Sequence, residues 1–310
     1  MTSRRSLVAC AATFLVASTC GAFAQDWRAK YPELTFSVVP AENSAGVIER
    51  YTPFMDYLSR ALGVKVSLRV ANDYAAVIEG QRAGNVQIAS YGSASFARAL
   101  ITGVKTEAFA LDVNADGTTG YYSVFYVKAT SPYKNIEDLK GKNIGLVDPN
   151  STSGNNVPRY MLDKMKINPE NYFGKVVFTG SHENAVLALA QGTVDVVANA
   201  WNAEDDSILT RMIGKGMLKN ADGSSMKVSD FRIILKSDPI LNGPLTYLSD
   251  LPADAKEAIS KAFLTAHTAD KASFDKLSEG KNLPWKAAKT DEWKPVVELV
   301  QFVDSLRRKN

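Results

Sequence analysis

Three hydroxyl residues in a row, Ser151, Thr152 and Ser153, precede Gly154 in the stretch "DPNSTSGNNVPRYML". They stand where an apolar run, "KNIGLV", gives way to a helical pattern. One Ser or Thr is enough to cap a helix. Three exceed that need and fit a different task. The first N–H groups of a helix lack intrahelical acceptors and carry the positive end of the macrodipole, so they form a ready anion site. Neighbouring hydroxyls add donors that need no counter-charge, and Gly154 lets a ligand approach the backbone. "VVFTGSHENAVLALAQG" repeats the plan, with His182 at the start of its helix. Two helix starts in one α/β lobe converge at the sheet's carboxyl edge, so His182 is expected beside the triplet. There it would donate to an anion, which would favour its protonated form. Tyr74 in "NDYAAVIEG" and Tyr91 in "ASYGSAS" stand at strand-to-helix junctions of an earlier α/β set, each offering a hydroxyl and a ring. Trp201 and Asn202 follow the strand-like "VDVVANA". Lys and Arg are rare in these turns, so neutral donors would hold the anion without the desolvation penalty of a buried ion pair. His267 is expected to be structural.

The elements that must position these residues alternate. Short β-rich runs ("LTFSVV", "KVSLRVA", "VQIASYG", "EAFALDV") are interleaved with helical patterns from Gly46 to Leu62, Tyr74 to Gly84 and Ser93 to Thr102. That rhythm predicts βαβ units and a mostly parallel sheet with both faces covered. "TTGYYSVFYVKA" interrupts it as one long β run. A second α/β set follows and ends near the turn-rich "DPILNGP"; from Leu251 onward the chain reads as helical. The expected architecture is α/β, with two lobes joined by two extended crossovers and a ligand cleft between them. One lobe would comprise residues 25–124 with 245–310, the other 125–244. Open α/β sheets bind ligands beyond the carboxyl ends of their strands.

Composition narrows the function. Arg4 and Arg5, the apolar stretch Leu7 to Val16 and Ala22-Phe23-Ala24 read as a signal peptide cleaved after Ala24. The apolar run is shorter than the ~20 residues of a membrane span. Cys20 would permit lipid attachment instead, but the residues before it fit a lipoprotein signal poorly. Cys10 and Cys20 are the only cysteines; both fall in this segment, so no disulfide or thiolate chemistry is expected after cleavage. Removing Arg4 and Arg5 lowers the formal charge from +3 to +1, which argues against nucleic-acid binding. An exported, two-lobed chain of this size reads as a solute-binding protein.

"DYAAVIEGQRAG", "QIASYG", "DPNSTSG" and "GSHENAVLALAQGTVDVV", in that order and spacing, resemble the periplasmic phosphonate-binding component of ABC transporters, the PhnD-like family. The likeness covers nearly all of the chain after Ala24. It implies a type II periplasmic binding protein whose lobes close on a small phosphonate and pass it to an inner-membrane permease. By this resemblance Ser151, Thr152, Ser153 and His182 contact the phosphonate oxygens, Tyr74 and Tyr91 contribute from the other lobe, and Asn202 lines the cleft. Members that take aminoethylphosphonate grip its amine with two carboxylates. Ungapped alignment puts Asn202 and Gly243 there, with Glu204 and Asp238 nearby. Family members that dimerise end in long helices, whereas this chain stops soon after "VELVQFVDSLRRKN", so a monomer is expected. No cofactor, catalytic residue or metal site is expected. The alternatives are a site for phosphite or a sulfonate, a sensor, or a hydrolase using Ser151 and His182 with Asp195. The hydrolase lacks a G-x-S-x-G elbow, and two histidines without cysteines make no zinc site.

Overall fold

The computed structural model describes residues 26–308; the expected signal segment, with Arg4, Arg5, Cys10, Cys20 and the Ala24 cleavage point, lies outside them. Among the described residues, no helix is long and apolar enough to cross a membrane.

Two sheets organise the chain. In the first, Glu33–Val38 is flanked by Lys65–Val70 and Ile88–Ser90, both parallel to it. Pro244–Leu248 then pairs antiparallel with Ile88–Ser90 and with Thr106–Asn114, and Asn282–Ala287 adds an antiparallel edge. In the second sheet, Asn143–Leu146 is parallel to Lys175–Phe178 and Val196–Ala203. Gly120–Lys128 joins antiparallel between Val196–Ala203 and Phe231–Lys236. Both sheets are therefore mixed rather than mostly parallel. The antiparallel members include Gly120–Lys128, on which the chain enters the second lobe, and Pro244–Leu248, on which it returns to the first. The C-terminal region is not wholly helical, because "NLPWKA" forms the edge strand of the first sheet.

The helices start and stop where local chemistry dictates. Asn43 caps Ser44–Leu62 by accepting from Gly46 N–H at 2.9 Å, and Gly63 ends it in the left-handed region at φ 68°. Its apolar face, with Phe54, Leu58 and Leu62 fully buried, packs on Leu34, Phe36, Phe263 and neighbours in one core. Val124, Val147, Val186, Leu189, Val197 and Met212 centre a core in the second lobe. The C-terminal helix Lys294–Arg308 returns to the first lobe: Val300 packs on Ala94 and Ala97, and Asp304 accepts from both terminal nitrogens of Arg98.

The crossovers run side by side. Thr106–Asn114 leads through a turn into Gly120–Lys128, and Phe231–Lys236 leads through Ile240–Leu241 into Pro244–Leu248. Ile240 and Leu241 pair with Tyr121 and Gly120, and Asn242 N–H donates to the Thr119 carbonyl at 2.9 Å. The expected lobe boundary at 124 falls inside Gly120–Lys128, which belongs whole to the second sheet.

Candidate functional site

Four helix starts meet where the lobes face each other. Tyr74 begins the helix Tyr74–Arg82, and Ser93 begins Ser93–Ile101 after Gly92. From the second lobe come the hydroxyl turn and His182–Gln191.

The hydroxyl turn is not an ordinary cap. Thr152–Asn156 wind as one wide π turn, with Asn156 N–H donating to the Ser151 carbonyl at 3.0 Å, before the α-helix Val157–Lys164. Such turns recur at functional sites. The Asn155 and Asn156 side-chain amides brace it by donating to the Pro149 carbonyl at 2.8 and 3.1 Å. Gly154 is required because a Cβ there would stand 2.4 Å from Val147 Cβ and 2.7 Å from Ser151 Oγ. Ser151, Thr152 and Ser153 are all buried, at 1, 2 and 1% exposure. They point inward.

Ser151 Oγ is the centre of the cluster. It accepts from Gly154 N–H at 3.1 Å, lies 3.4 Å from His182 Nε2, and is within hydrogen-bonding reach of the Tyr74 hydroxyl. Thr152 Oγ1 accepts from Ala94 N–H of the first lobe at 2.9 Å. Tyr121 reaches both Thr152 and Ser153, and Ser123 Oγ donates to the Ser153 carbonyl at 2.7 Å. Asp148 accepts from the backbone N–H groups of Asn150 and Tyr74, and burial pushes its pKa up. Burial likewise raises the Tyr74 and Tyr121 phenols, so both remain donors.

From the sequence, His182 is expected to gain its proton beside an anion; without one its surroundings favour the neutral ring. Burial is the dominant cause of a pKa lowered to about 4, with Arg211 opposing a second proton and the Asn199 hydrogen bond working the other way. Nδ1 lies 3.1 Å from Asn199 Oδ1, and His182 N–H donates across the lobes to the Ala41 carbonyl at 3.0 Å. Asp195 cannot act as a third member of a hydrolytic triad. Its carboxylate accepts from Asn143 N–H at 2.8 Å and from the Tyr133 hydroxyl at 3.3 Å.

Of the sequence-derived residues, Tyr74, Ser151, Thr152, Ser153 and His182 come together. Tyr91 does not. Its hydroxyl lies within the first lobe, donating to Gln81 Oε1 at 3.1 Å, and its ring packs near Phe96. The helix Tyr74–Arg82 supplies that partner, so burial there satisfies the phenol. Asn202 donates to Asp206 Oδ2 at 2.8 Å and lines an adjoining polar cavity. Sequence reasoning missed Tyr121, Asn199 and Asp148. The available signal for Asn199 was an amide inside the apolar run "VDVVANA", since a buried polar side chain needs partners.

The polar cavity has a volume of about 230 Å³ and is walled by both lobes, among others by Glu42, Arg50, Asp112, Asp206, Arg211 and Trp285. Glu42 pairs with Arg50 at 2.9 Å and with Arg211 at 3.1 Å, while Asp206 lies 3.4 Å from Arg211. Asp112 is held by neutral donors, Trp285 Nε1 at 2.8 Å and Asn282 Nδ2 at 3.2 Å. Enclosure in the cavity pushes its pKa up. A carboxyl raised on folding contributes stability below the ordinary carboxylate range, and this is lost as pH rises through the shifted value. Asp112→Asn keeps an acceptor for both donors, so its melting temperature is expected to gain on wild type as pH rises from 4 to 7. A gain independent of pH would count against burial as the cause. Glu204 and Asp238 are exposed and are absent from these walls.

Around the cluster the lobes are tied together. Asn43 donates through its N–H and Nδ2 to Glu183 Oε2 at 2.7 and 2.9 Å. At the rim, Lys281 Nζ donates to the Asp205 carbonyl at 2.6 Å and Lys215 pairs with Glu279 at 3.2 Å.

The fold and this constellation match known proteins. The family model described as "ABC transporter, phosphonate, periplasmic substrate-binding protein" matches residues 36–293. The phosphonates-binding periplasmic protein of Escherichia coli K12 is 32% identical over 276 residues, covering 87% of this chain and 76% of that protein. The phosphate-import protein PhnD of Mycolicibacterium smegmatis is 33% identical over 209 residues, covering 64% of each. The crystal structure of a binding-protein component of a Pseudomonas aeruginosa ABC phosphonate transporter superposes with a TM-score of 0.75 at 28% identity, covering 88% of this chain and 87% of that one. With two mixed α/β sheets facing each other across a donor-lined cleft, the chain belongs to the periplasmic substrate-binding proteins of phosphonate ABC transporters, a binding family of type II architecture rather than an enzyme family.

Proposed function

We propose that the protein captures a small phosphonate, or a related phosphorus oxyanion, among Tyr74, Tyr121, Ser151, Thr152, Ser153 and His182. It then delivers the ligand to the inner-membrane permease of an ABC importer. The observation that carries this reading is the convergence of Tyr74 from one lobe and the hydroxyl turn from the other on Ser151 Oγ. Uncharged donors held in a desolvated place suit a small anion, because each donates along a fixed direction at no reorganisation cost. Asn202 follows Trp201, which pairs with Tyr122, so the polar cavity adjoins the Tyr121 end of the cluster. We assign the substituent on phosphorus to that cavity, where Asp112 is the carboxyl without a basic partner and suits an amine. Tyr91 and Asn202 are left out of the oxyanion contacts. The mature protein is proposed to begin after Ala24 in the periplasm and to act as a monomer; its two lobes, with Gly120–Lys128 whole in the second, would open about the paired crossovers.

Calorimetry with methylphosphonate, aminoethylphosphonate, phosphite and phosphate tests this. Micromolar or tighter binding of at least one, weakened by Ser151→Ala, is the expected result. Absence of heat with all four would overturn the reading. If the amine assignment is right, Asp112→Asn weakens aminoethylphosphonate about tenfold and leaves methylphosphonate unchanged. Equal affinities for phosphate and phosphonates would instead favour general phosphorus-oxyanion uptake, in line with the name of the Mycolicibacterium relative.

A further inference from the structure

We propose, building on the oxyanion reading above, that Asn199 makes His182 a hydrogen-bond acceptor toward the ligand, so that the site takes an oxyanion still carrying an acidic P–O–H and refuses sulfonates of the same shape.

The orientation of Asn199 starts the chain of inference. It is fully buried, its Nδ2 donates to the His182 carbonyl at 2.9 Å, and its Oδ1 accepts from Ala200 N–H at 2.9 Å. Flipping the amide would set oxygen against the carbonyl and NH₂ against an N–H, two repulsive contacts in a dry place. Oδ1 is therefore the atom that faces His182 Nδ1, at 3.1 Å. An amide oxygen offers no hydrogen, so Nδ1 must supply it. With its hydrogen on Nδ1, a neutral imidazole has only a lone pair at Nε2. That lone pair faces Ser151 Oγ at 3.4 Å, and the serine hydroxyl donates to it.

The surroundings do not favour a second proton on the ring. Glu183, the next residue, is occupied by the N–H and Nδ2 of Asn43. Glu42 is held by Arg50 and Arg211. Asp148 accepts backbone N–H groups and is itself pushed up by burial. Tyr74 stays a phenol beyond Ser151, and the positive charge of Arg211 works against imidazolium. His182 thus meets a ligand as one acceptor in a ring of donors.

Phosphonic acids lose their second proton near neutrality, so a large share of the ligand outside the cell carries one P–O–H. That hydrogen matches Nε2, while the remaining oxygens match the hydroxyls and amides. Sulfonic acids lose their only proton at very low pH, and a sulfonate brings lone pairs alone. Placed here it would compete with Nε2 for the single hydrogen of Ser151, so either Nε2 or a sulfonate oxygen would go without a donor, and a buried polar atom left unmatched is costly. Asn199 acts as a positioning residue: it would not touch the ligand.

The test pairs ¹⁵N spectra of His182 with titrations of methylphosphonate and methanesulfonate against wild type, Asn199→Ala and Asn199→Asp. The ligand-free protein should show hydrogen on Nδ1 alone, and wild type should prefer methylphosphonate at least a hundredfold. In Asn199→Asp the new carboxylate should draw a second proton onto the ring. Nε2 would then donate, and the preference should fall at least tenfold. If that variant melts early, Asn199→Ala, which frees the tautomer, should also lower the preference. Wild-type binding of methanesulfonate within tenfold of methylphosphonate, a doubly protonated ligand-free ring, or an unchanged preference in a folded variant each overturns the proposal. Failure of every phosphorus ligand would overturn the oxyanion reading itself. Phosphonate binding accompanied by sulfonate binding would sink only the selectivity.

Discussion

His182→Ala is expected to weaken phosphonate binding by roughly ten- to a hundredfold, the value of a hydrogen bond to a charged partner. Three facts make the effect large. The ring is buried to 5% exposure, so water cannot replace it. Its Nε2 faces the same Ser151 oxygen that Tyr74 reaches from the opposite lobe. Its loss also leaves Asn199 Oδ1 with one fewer donor in a dry place. Calorimetry should show the loss at unchanged stoichiometry. Tyr121→Phe should cost several-fold, because its hydroxyl serves Thr152 and Ser153. Tyr91→Phe should change affinity little, since that hydroxyl serves Gln81. If Tyr91→Phe hurts more than Tyr121→Phe, the cluster has been assigned to the wrong tyrosine. A pH signature accompanies the histidine. Its folded pKa is depressed to about 4, so the stability it contributes is present above the ordinary value near 6.5 and is lost as pH falls toward 4. Ligand-free wild type should therefore lose more melting temperature between pH 7 and 4 than His182→Gln does.

Gly243→Ala should damage the fold itself. A Cβ at this position would lie 1.8 Å from the Tyr91 carbonyl oxygen, 2.8 Å from its carbon and 3.0 Å from Gly92 Cα. All three are backbone atoms, so no side chain can turn aside. Either the returning crossover lifts away from the strand end or the Tyr91–Gly92 turn shifts. The Tyr91 N–H bond to the Pro244 carbonyl, at 3.1 Å, would go with it. Overpacking of this kind costs about 3 kcal/mol or more, or roughly 10 °C of melting temperature in a chain of this size. Gly214→Ala is the control. It ends the helix Ile208–Gly214 with nothing within 4 Å of the added carbon, and it should be neutral. Equal melting temperatures for the two variants would refute the close-approach argument. Ungapped alignment puts Gly243 where aminoethylphosphonate binders carry a carboxylate; here it lines the polar cavity while packing against the Tyr91 carbonyl.

The sequence displayed the α/β alternation because apolar periodicity survives without knowledge of partners. Ser151 to Ser153 and His182 were legible for a related reason: a residue that opens a helix after a buried parallel strand has its direction set by that junction. Strand direction was not legible. "EAFALDV" and "PLTYL" look like any buried strand, and they run antiparallel because the chain must cross and recross between lobes. The tyrosines mark the same limit. Tyr91 and Tyr74 share a local pattern, yet Gln81 captures the first while Ser151 meets the second. Tyr121 lay unmarked in a long β run, because its role depends on a turn thirty residues onward in the chain.

Tyr121 and Gly120 pair with Ile240 and Leu241 in the two adjoining crossovers. A side chain mounted on an axle travels little when the wheels turn. Tyr121 should therefore keep its place over Thr152 and Ser153 whether the molecule gapes or shuts, whereas Tyr74, carried on the other body, must swing in. Capture should then have an order: an arriving anion is expected to be held first by the second lobe, with the Tyr74 hydroxyl closing on it last.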